Sequence, residues 1–461
     1  MWRRRLPLCV LVALALTFRL AVVLSFHATA GDGTQYYKLA EQLRLTGRLA
    51  YAPPPAPTAW SRLPGYPLFL AATSVFHRGP STVEEHTTRA VCENAVLDVG
   101  TALLVFAMLE ATAGALAAYL GFVFVVLCPI IVICSAHALT ESLAVFLTTL
   151  VVFLCLRAHS HGSFGPVVGA GLVLGFMQLM RVDSFTVIPG ALVALWWGGR
   201  TLWRRALSQT VVLGMLALLV WAPWPIRNQL EFGAPHAEGT EWLGMDGTPM
   251  RNGVMTWMRS WASGQPGEGY HLMAMSLGAP LDVNRPGIVL PAMYDDARER
   301  QQVVDVLTEY NRHGLSENAD ARFIEMGRDR ARQNPLRQYL VLPAKRLVSL
   351  WTPVPIYEMS IRVPWLAMPG AQRVYGGIEA VLFGLCLLAL CLLESISCVR
   401  DGTPLFFVAA AVIAARSLLH ATVAHPCPTE RYVVECVPLL LVCGAAGIAR
   451  LDARRRRRAT A

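Results

Sequence analysis

Residues 6–26 read LPLCVLVALALTFRLAVVLSF, and the first acidic residue of the chain, Asp32, follows shortly after them. A membrane-crossing helix needs about 20 mainly apolar residues, so this run is long enough to span a bilayer. A cleaved signal peptide is the alternative, because residues 28–30 (Ala-Thr-Ala) resemble a cleavage site. The apolar core of a signal peptide has only roughly 7 to 15 residues, and Arg19 interrupts the present run. The sequence therefore predicts an uncleaved first span.

Further apolar runs continue this pattern along the chain of 461 residues, of which 54% are hydrophobic and 15% are charged. The mean hydropathy of +0.45 excludes one large soluble enzyme. The runs lie near residues 90–109, 115–134, 142–156, 164–180, 185–198, 206–224, 375–395, 404–424 and 433–449. Together with the first run, they predict an all-α polytopic membrane protein of about ten transmembrane helices.

Arginine residues collect in short clusters between the runs, at Arg157, at residues 200–205, at Arg400 and at residues 454–458. Cytoplasmic loops carry an excess of Arg and Lys, so these clusters place both termini in the cytoplasm. They also account for the formal net charge of +9, so this charge does not indicate a protein that binds nucleic acid. Arg is used almost throughout in place of Lys, which indicates a GC-rich genome, and no eukaryotic sorting signal is evident, which favours a bacterial protein. We therefore expect a multi-pass protein of the bacterial inner (plasma) membrane.

Two long segments are predicted on the outer side of the membrane. Residues 27–88 form a helical first outer loop, whose apolar run at 64–76 is too short to cross a bilayer. The second segment, residues 231–373, has mixed structure. It contains polar helical patterns and an amphipathic stretch at 336–351 that indicates an interfacial helix. The predicted organisation is a transmembrane core at 1–230, an outer segment at 231–373, and C-terminal helices with a basic cytoplasmic tail at 374–461.

Ionisable and aromatic residues are concentrated near the predicted outer ends of the spans. The candidate site residues are Asp32, Tyr36, Tyr37, Arg62, Glu141, Arg181, Arg227, Glu430, Arg431 and Tyr432. Each also has a structural explanation, since Asp32 or Glu141 can stabilise a helix N-terminus and arginines can extend to the interface. Their concentration on one side indicates a site for an anionic lipid, because guanidinium groups hold phosphate bidentately.

Several of these residues stand in motifs that resemble the polytopic GT-C glycosyltransferases, specifically the family 39 type. That family includes protein O-mannosyltransferases and lipid A aminoarabinose transferases. The motifs are Gly31-Asp32 with Tyr36 and Tyr37, Arg62-Leu63-Pro64-Gly65-Tyr66-Pro67, Thr140-Glu141, Arg181 with Asp183, Pro223-Trp224-Pro225-Ile226-Arg227-Asn228, and Glu430-Arg431-Tyr432. Many members have two adjacent acids where this chain has Asp32-Gly33. The aminoarabinose transferases have Lys-Pro-Pro at residues 62–64, where this chain has Arg-Leu-Pro.

The resemblance implies a polyprenyl-phosphate-linked sugar donor, inversion at the anomeric carbon, and an active site on the extracytoplasmic face. Asp32 would act as general base towards an acceptor hydroxyl, and Glu141 would orient the acceptor or hold a divalent cation. The leaving phosphate would be stabilised by Arg62, Arg181, Arg227 or Arg431. The acceptor would be a lipid, a glycan or a protein. The transferred sugar, a hexose or a pentose, and the cofactor stay open.

Two other functions fit the same membrane architecture. A transporter or flippase of a lipid-linked or anionic substrate is the main alternative, although transporters often have internal repeats and charged sites near the bilayer midplane. This sequence has no evident repeat, and its candidate residues cluster at one face. A sugar-polymer ligase or polymerase would share the lipid-phosphate donor and differ in substrate size.

Overall fold

The computed structural model describes most of the chain, with gaps that fall mainly in two long segments. The described residues are 2–27, 32–56, 58–59, 62–74, 79–197, 203–233, 253–265, 268–276, 278–351, 378, 381–382, 384, 404–424 and 430–460. Within them the regular secondary structure is helical apart from isolated bridge residues, which are His137 and the antiparallel pair of Ala50 and Thr58. The predicted all-α fold is therefore confirmed.

The α-helices of the described residues are numbered in chain order. They are α1 (Trp2–Phe26), α2 (Asp32–Thr46), α3 (Gly65–Thr73), α4 (Val83–Thr112), α5 (Ala115–Leu127), α6 (Pro129–Ser135), α7 (Glu141–His161), α8 (Gly165–Gln178), α9 (Ile188–Trp196), α10 (Trp203–Trp221), α11 (Pro223–Phe232), α12 (Gly253–Arg259), α13 (Gly269–Ser276), α14 (Ala297–His313), α15 (Glu317–Gln333), α16 (Leu342–Trp351), α17 (Leu405–Leu419) and α18 (Val437–Thr460). Short 3-10 helices are Val182–Val187, Pro291–Met293, Glu430–Tyr432 and Val434–Cys436, and π-helical turns are Arg337–Val341 and His420–Ala424.

Six helical segments of the described residues are long and apolar enough to cross a membrane. They are Leu6–Phe26, Val83–Thr112, Glu141–His161, Trp203–Phe232, Leu405–Val423 and Val434–Arg458. A seventh would combine α5 and α6, which meet at an angle of 51° where Pro129 opens the second helix. Two shorter apolar helices, Gly165–Gln178 and Val182–Trp196, coincide with two further predicted runs. The predicted run at 375–395 lies largely outside the described residues.

The chain divides into two compact units. The first comprises Met1–Gly239, Pro355–Arg416 and Val433–Ala461, and the second comprises Thr240–Val354 and Ser417–Tyr432. The predicted three-part division of the chain stays a prediction. In the first unit α4 packs against α5 and α7 against α8, whereas Met215 and Leu219 on α10 are each 67% exposed, as expected of a lipid-facing surface.

The second unit has an apolar core of its own, with Trp257 and Phe323 fully buried. The side chains of Asp296 and Ser316 cap the N-termini of α14 and α15, which agrees with the polar helices predicted in this segment. The amphipathic stretch 336–351 forms a π-helical turn followed by α16. Its Arg346 is buried and donates to backbone carbonyls within the unit, so this arginine is part of the core and not of an interfacial surface.

The predicted surface run in the first outer loop is the short helix α3, whose first residue, Gly65, touches another loop of the same unit. The Gly65 amide donates a 2.7 Å hydrogen bond to the carbonyl of Leu179. A Cβ atom at Gly65 would lie 2.7 Å from that carbonyl oxygen. Backbone atoms cannot yield as a flexible side chain does, so this contact requires glycine.

We predict that Gly65→Ala lowers the free energy of unfolding by about 1 to 3 kcal/mol, because the added methyl group overpacks a backbone contact. The measurement is the thermal unfolding midpoint of the purified protein in detergent. Gly214→Ala in α10 is the matched control, since a Cβ atom there meets no atom within 4 Å. Equal midpoints for the two variants would contradict the prediction.

Candidate active site

The predicted base, Asp32, is the first residue of α2 and forms an ion pair with Arg62. The Arg62 Nη2 atom lies 2.6 Å from Asp32 Oδ1, and Arg62 Nε donates to Gln35 Oε1 at 3.0 Å. The guanidinium also stacks over the Tyr36 ring, 5.6 Å from its centroid. The Asp32 side chain is 35% exposed and that of Arg62 is 15% exposed. This carboxylate is therefore both charge-paired and open to a substrate.

Tyr36, which contacts Arg62, also packs against Tyr66, an aromatic residue near Glu141, the second predicted acid. Tyr36 and Tyr66 pack edge to face with 5.0 Å between ring centroids. Burial raises the pKa of the Tyr66 hydroxyl well above its ordinary value, and the nearby carboxylates of Glu141 and Glu93 raise it further. Tyr66 thus stays protonated at neutral pH and lies within the electrostatic reach of Glu141.

The segment before Glu141 also contacts the start of α2 directly. A Cβ atom at Gly33 would lie 3.3 Å from the carbonyl oxygen of Ala138, so the backbone of α2 runs close to this segment. The glycine that follows Asp32 therefore allows the close approach of the two segments. The structure brings the elements carrying Asp32 and Glu141 together.

Arg181 is the centre of a buried charge cluster that includes Glu141. Its Nη1 atom lies 3.1 Å from Thr140 Oγ1 and 3.5 Å from Glu141 Oε1. Its Nε and Nη2 atoms bind the two carboxylate oxygens of Asp183 at 3.1 and 3.2 Å. Glu435 Oε1 lies 3.0 Å from Nε. Three carboxylates from distant parts of the sequence therefore meet at one guanidinium group.

A second arginine, Arg416 on α17, binds the same cluster. Its Nη2 atom lies 2.8 Å from Asp183 Oδ2 and 2.7 Å from Glu435 Oε1. Its Nη1 atom donates to Thr186 Oγ1 at 3.2 Å, and Thr148 Oγ1 donates to Glu435 Oε2 at 3.3 Å. Arg416 and Glu435 are each about 1% exposed. The buried charge of Arg416 is thus compensated by two carboxylates inside the first unit.

Glu435 is the member of this cluster that sequence reasoning missed. It lies in the 3-10 helix Val434–Cys436, at the start of the last apolar run. Its apolar neighbours dominate the average hydropathy of that run, so a hydropathy profile does not reveal the acid. The available signal was the need of the intramembrane Arg416 for an acidic partner. Arg19 in the first span pairs in the same way with Asp98 at 3.4 Å.

Two further predicted residues lie in the first unit and make contacts of their own. Tyr37 donates its hydroxyl to the carbonyl of Ser81 at 2.6 Å, which ties α2 to the segment before α4. Arg227 on α11 pairs with Glu231 at 2.7 Å and donates to the carbonyl of Ala59 at 3.2 Å. That contact joins α11 to the first outer loop at Ala59.

The late motif Glu430-Arg431-Tyr432 forms a 3-10 helix that belongs to the second compact unit. Arg431 and Tyr432 are partly exposed, and the Tyr432 ring lies 4.9 Å from that of His420. Their predicted role in substrate binding stays a prediction. Among the described residues, no group of three or more His, Cys, Asp or Glu side chains is arranged to hold a metal ion.

Comparison with known proteins agrees with this architecture. Residues 83–226 match the sequence profile of the family described as dolichyl-phosphate-mannose-protein mannosyltransferase. The fold is similar to that of the archaeal oligosaccharyltransferase AglB from Archaeoglobus fulgidus, with a TM-score of 0.54 and 13% sequence identity. The alignment covers 100% of this chain and 52% of AglB. This chain thus spans about half the length of that relative.

A weaker similarity exists to ArnT from Cupriavidus metallidurans, solved with undecaprenyl phosphate, at 14% identity and a TM-score of 0.40. It covers 96% of this chain and 78% of ArnT. No curated protein sequence is significantly similar to this chain. The family match and the AglB-like fold confirm the predicted resemblance to GT-C membrane glycosyltransferases.

We predict that Arg416→Met lowers the free energy of unfolding by about 3 kcal/mol, because it removes one of the two cations that compensate the buried Asp183 and Glu435. The unfolding midpoint in detergent measures the loss. Arg454→Met, at an exposed position of α18, is the control and should unfold like wild type. A midpoint for Arg416→Met as high as that of the control would show that the cluster contributes no stability.

Proposed function

We propose that this protein is a membrane glycosyltransferase that moves a sugar from a polyprenyl-phosphate donor to an acceptor hydroxyl, with inversion at the anomeric carbon. The match to the dolichyl-phosphate-mannose-protein mannosyltransferase family supports the proposal. AglB, whose fold is similar, was solved with a dolichol-phosphate and an inhibitory peptide. The proposed site is extracytoplasmic in a bacterial inner membrane, with both termini in the cytoplasm.

The observation that carries the proposal is the Asp32–Arg62 ion pair, whose carboxylate is partly exposed at the start of α2. A general base must reach the proton it accepts, and Asp32 combines 35% exposure with a fixed position at the start of α2. Arg62 holds the carboxylate at 2.6 Å and supplies positive charge next to it. Base and cation are thus adjacent, as a displacement that produces a phosphate requires.

In the proposed reaction the acceptor oxygen attacks the anomeric carbon of the donor sugar. A bond forms between the acceptor oxygen and that carbon, and the bond from that carbon to the phosphate oxygen breaks with its electron pair leaving on phosphate. Asp32 takes the proton of the acceptor hydroxyl. Arg62 and Arg227 stabilise the negative charge that develops on the polyprenyl phosphate.

Glu141 is proposed to orient the acceptor. Its carboxylate is about 1% exposed and already lies 3.5 Å from the Arg181 guanidinium, which compensates its charge. Should a divalent cation take part, Glu141 is the residue of this site that would contribute a ligand. The cation would then have to share the carboxylate with Arg181.

We predict that Asp32→Asn lowers transfer by about 10²- to 10⁴-fold, because it keeps the shape of the side chain and removes the base. The measurement is the formation of a glycosidic product from a radiolabelled undecaprenyl-phosphate sugar by purified protein. Glu84→Gln is the matched control, since Glu84 is an exposed acid in the first turn of α4.

Near wild-type transfer by Asp32→Asn would eliminate this residue as the base. A transporter or flippase would move the labelled lipid across the membrane without forming a new glycosidic bond, so the same assay in sealed vesicles separates the two functions. A polymerase would yield products that lengthen with time.

We also predict that transfer persists within about twofold in excess EDTA, because Arg181 already compensates the charge of Glu141. The assay compares untreated protein, EDTA-treated protein, and treated protein supplied again with Mg²⁺ or Mn²⁺. Loss of transfer in EDTA with recovery on adding a cation would assign Glu141 the ligand role instead.

A further inference from the structure

The nitrogen atoms of the Arg181 guanidinium group contact acceptor atoms of the protein itself. An arginine side chain has five N–H donors in a rigid plane. In Arg181 the Nε atom faces Asp183 and Glu435, Nη1 faces Thr140 and Glu141, and Nη2 faces Asp183. All three nitrogens are thus engaged by the protein. A phosphate would have to displace these acceptors to bind Arg181 bidentately.

The acceptors are themselves fixed from a second side by Arg416. It binds the same Glu435 oxygen as Arg181, at 2.7 Å, and the Asp183 oxygen at 2.8 Å. The hydroxyl of Thr148 holds the other oxygen of Glu435. Because α7, α17 and the 3-10 helices of residues 182–187 and 434–436 all contribute, the orientation of Arg181 depends on tertiary structure and not on its own loop alone.

We propose that Arg416 and Glu435 are positioning residues that fix Arg181, and through it the carboxylate of Glu141, and that Arg181 is not a ligand of the donor phosphate. The proposal rests on the proposed function, because it assigns roles within that reaction. It separates Arg181, whose three nitrogens contact the buried carboxylates and Thr140, from the other arginines that sequence analysis grouped with it. A displacement of a catalytic group by about 1 Å can cost 10²-fold in rate, so the effect is measurable.

The first test is Glu435→Gln in the full-length protein, which keeps the shape of the side chain and removes one carboxylate from Arg181. We expect kcat to fall at least 10-fold while KM for the undecaprenyl-phosphate sugar and the affinity for undecaprenyl phosphate stay within twofold. Glu299→Gln is the matched control, because Glu299 binds the buried Arg330 of the second unit at 2.5 Å. Its kcat should match that of wild type.

The second test is a double-mutant cycle with Glu141→Gln. Residues that act as one unit give non-additive losses. If Glu435 acts through Arg181 on Glu141, the double variant loses no more activity than Glu141→Gln alone. Additive losses would show that Glu435 acts independently and would overturn the proposal. A 10-fold loss of undecaprenyl phosphate affinity in Glu435→Gln would also overturn it, since Arg181 would then belong to the phosphate site.

Thr148→Val provides a milder variant if Glu435→Gln does not fold. It removes the hydroxyl that binds Glu435 Oε2, and we expect a smaller fall of kcat with unchanged KM for the donor. An unchanged kcat in this variant would count against the proposal. Failure of the proposed function is distinguishable, because wild type would then form no glycosidic product. The affinity of wild type and Glu435→Gln for undecaprenyl phosphate still tests the arginine assignment in that case.

Discussion

The electrostatic contact on which the first unit depends is the buried cluster of Arg181 and Arg416 with three carboxylates. Its members come from residues 141, 181–183, 416 and 435, so the cluster joins segments that are far apart in the sequence. Burying such charges is costly, and only mutual compensation with good hydrogen-bond geometry repays the cost. A helix that shifted along its axis would leave a charge uncompensated near hydrocarbon, so the cluster selects one register for these helices.

The two acids predicted to be catalytic occupy different environments, which agrees with the different roles proposed for them. Asp32 lies at the start of α2 with a 35% exposed side chain, whereas Glu141 is about 1% exposed and contacts Arg181. The surroundings of a carboxylate set the chemistry it can perform, so two acids in unlike surroundings can serve different steps. The exposed group can meet an acceptor hydroxyl, while the buried group can fix a direction of approach.

The sequence predicted most of the helices because apolar length is a local property, which can be counted without knowing the fold. Helices α3, α14 and α15 were predicted from local patterns as well. The apolar run of α3 was recognised as too short to cross a membrane. The pairing of Arg416 with Asp183 could not be predicted, because the two residues are separated by more than 200 positions. Glu435 was missed for a different reason: an isolated acid changes the average hydropathy of a long apolar run very little.

The Asp32–Arg62 pair couples the two charge changes of the proposed reaction. As Asp32 accepts the acceptor proton it loses its negative charge, and its attraction for the guanidinium 2.6 Å away weakens. Negative charge develops on the leaving phosphate in the same step, so the cation released by one anion becomes available to the other. Arg181 cannot respond in this way, because Asp183 and Glu435 hold it irrespective of the protonation of Asp32. In the proposed reaction, an arginine shared between base and leaving group would therefore keep the charge of the site nearly balanced throughout the displacement.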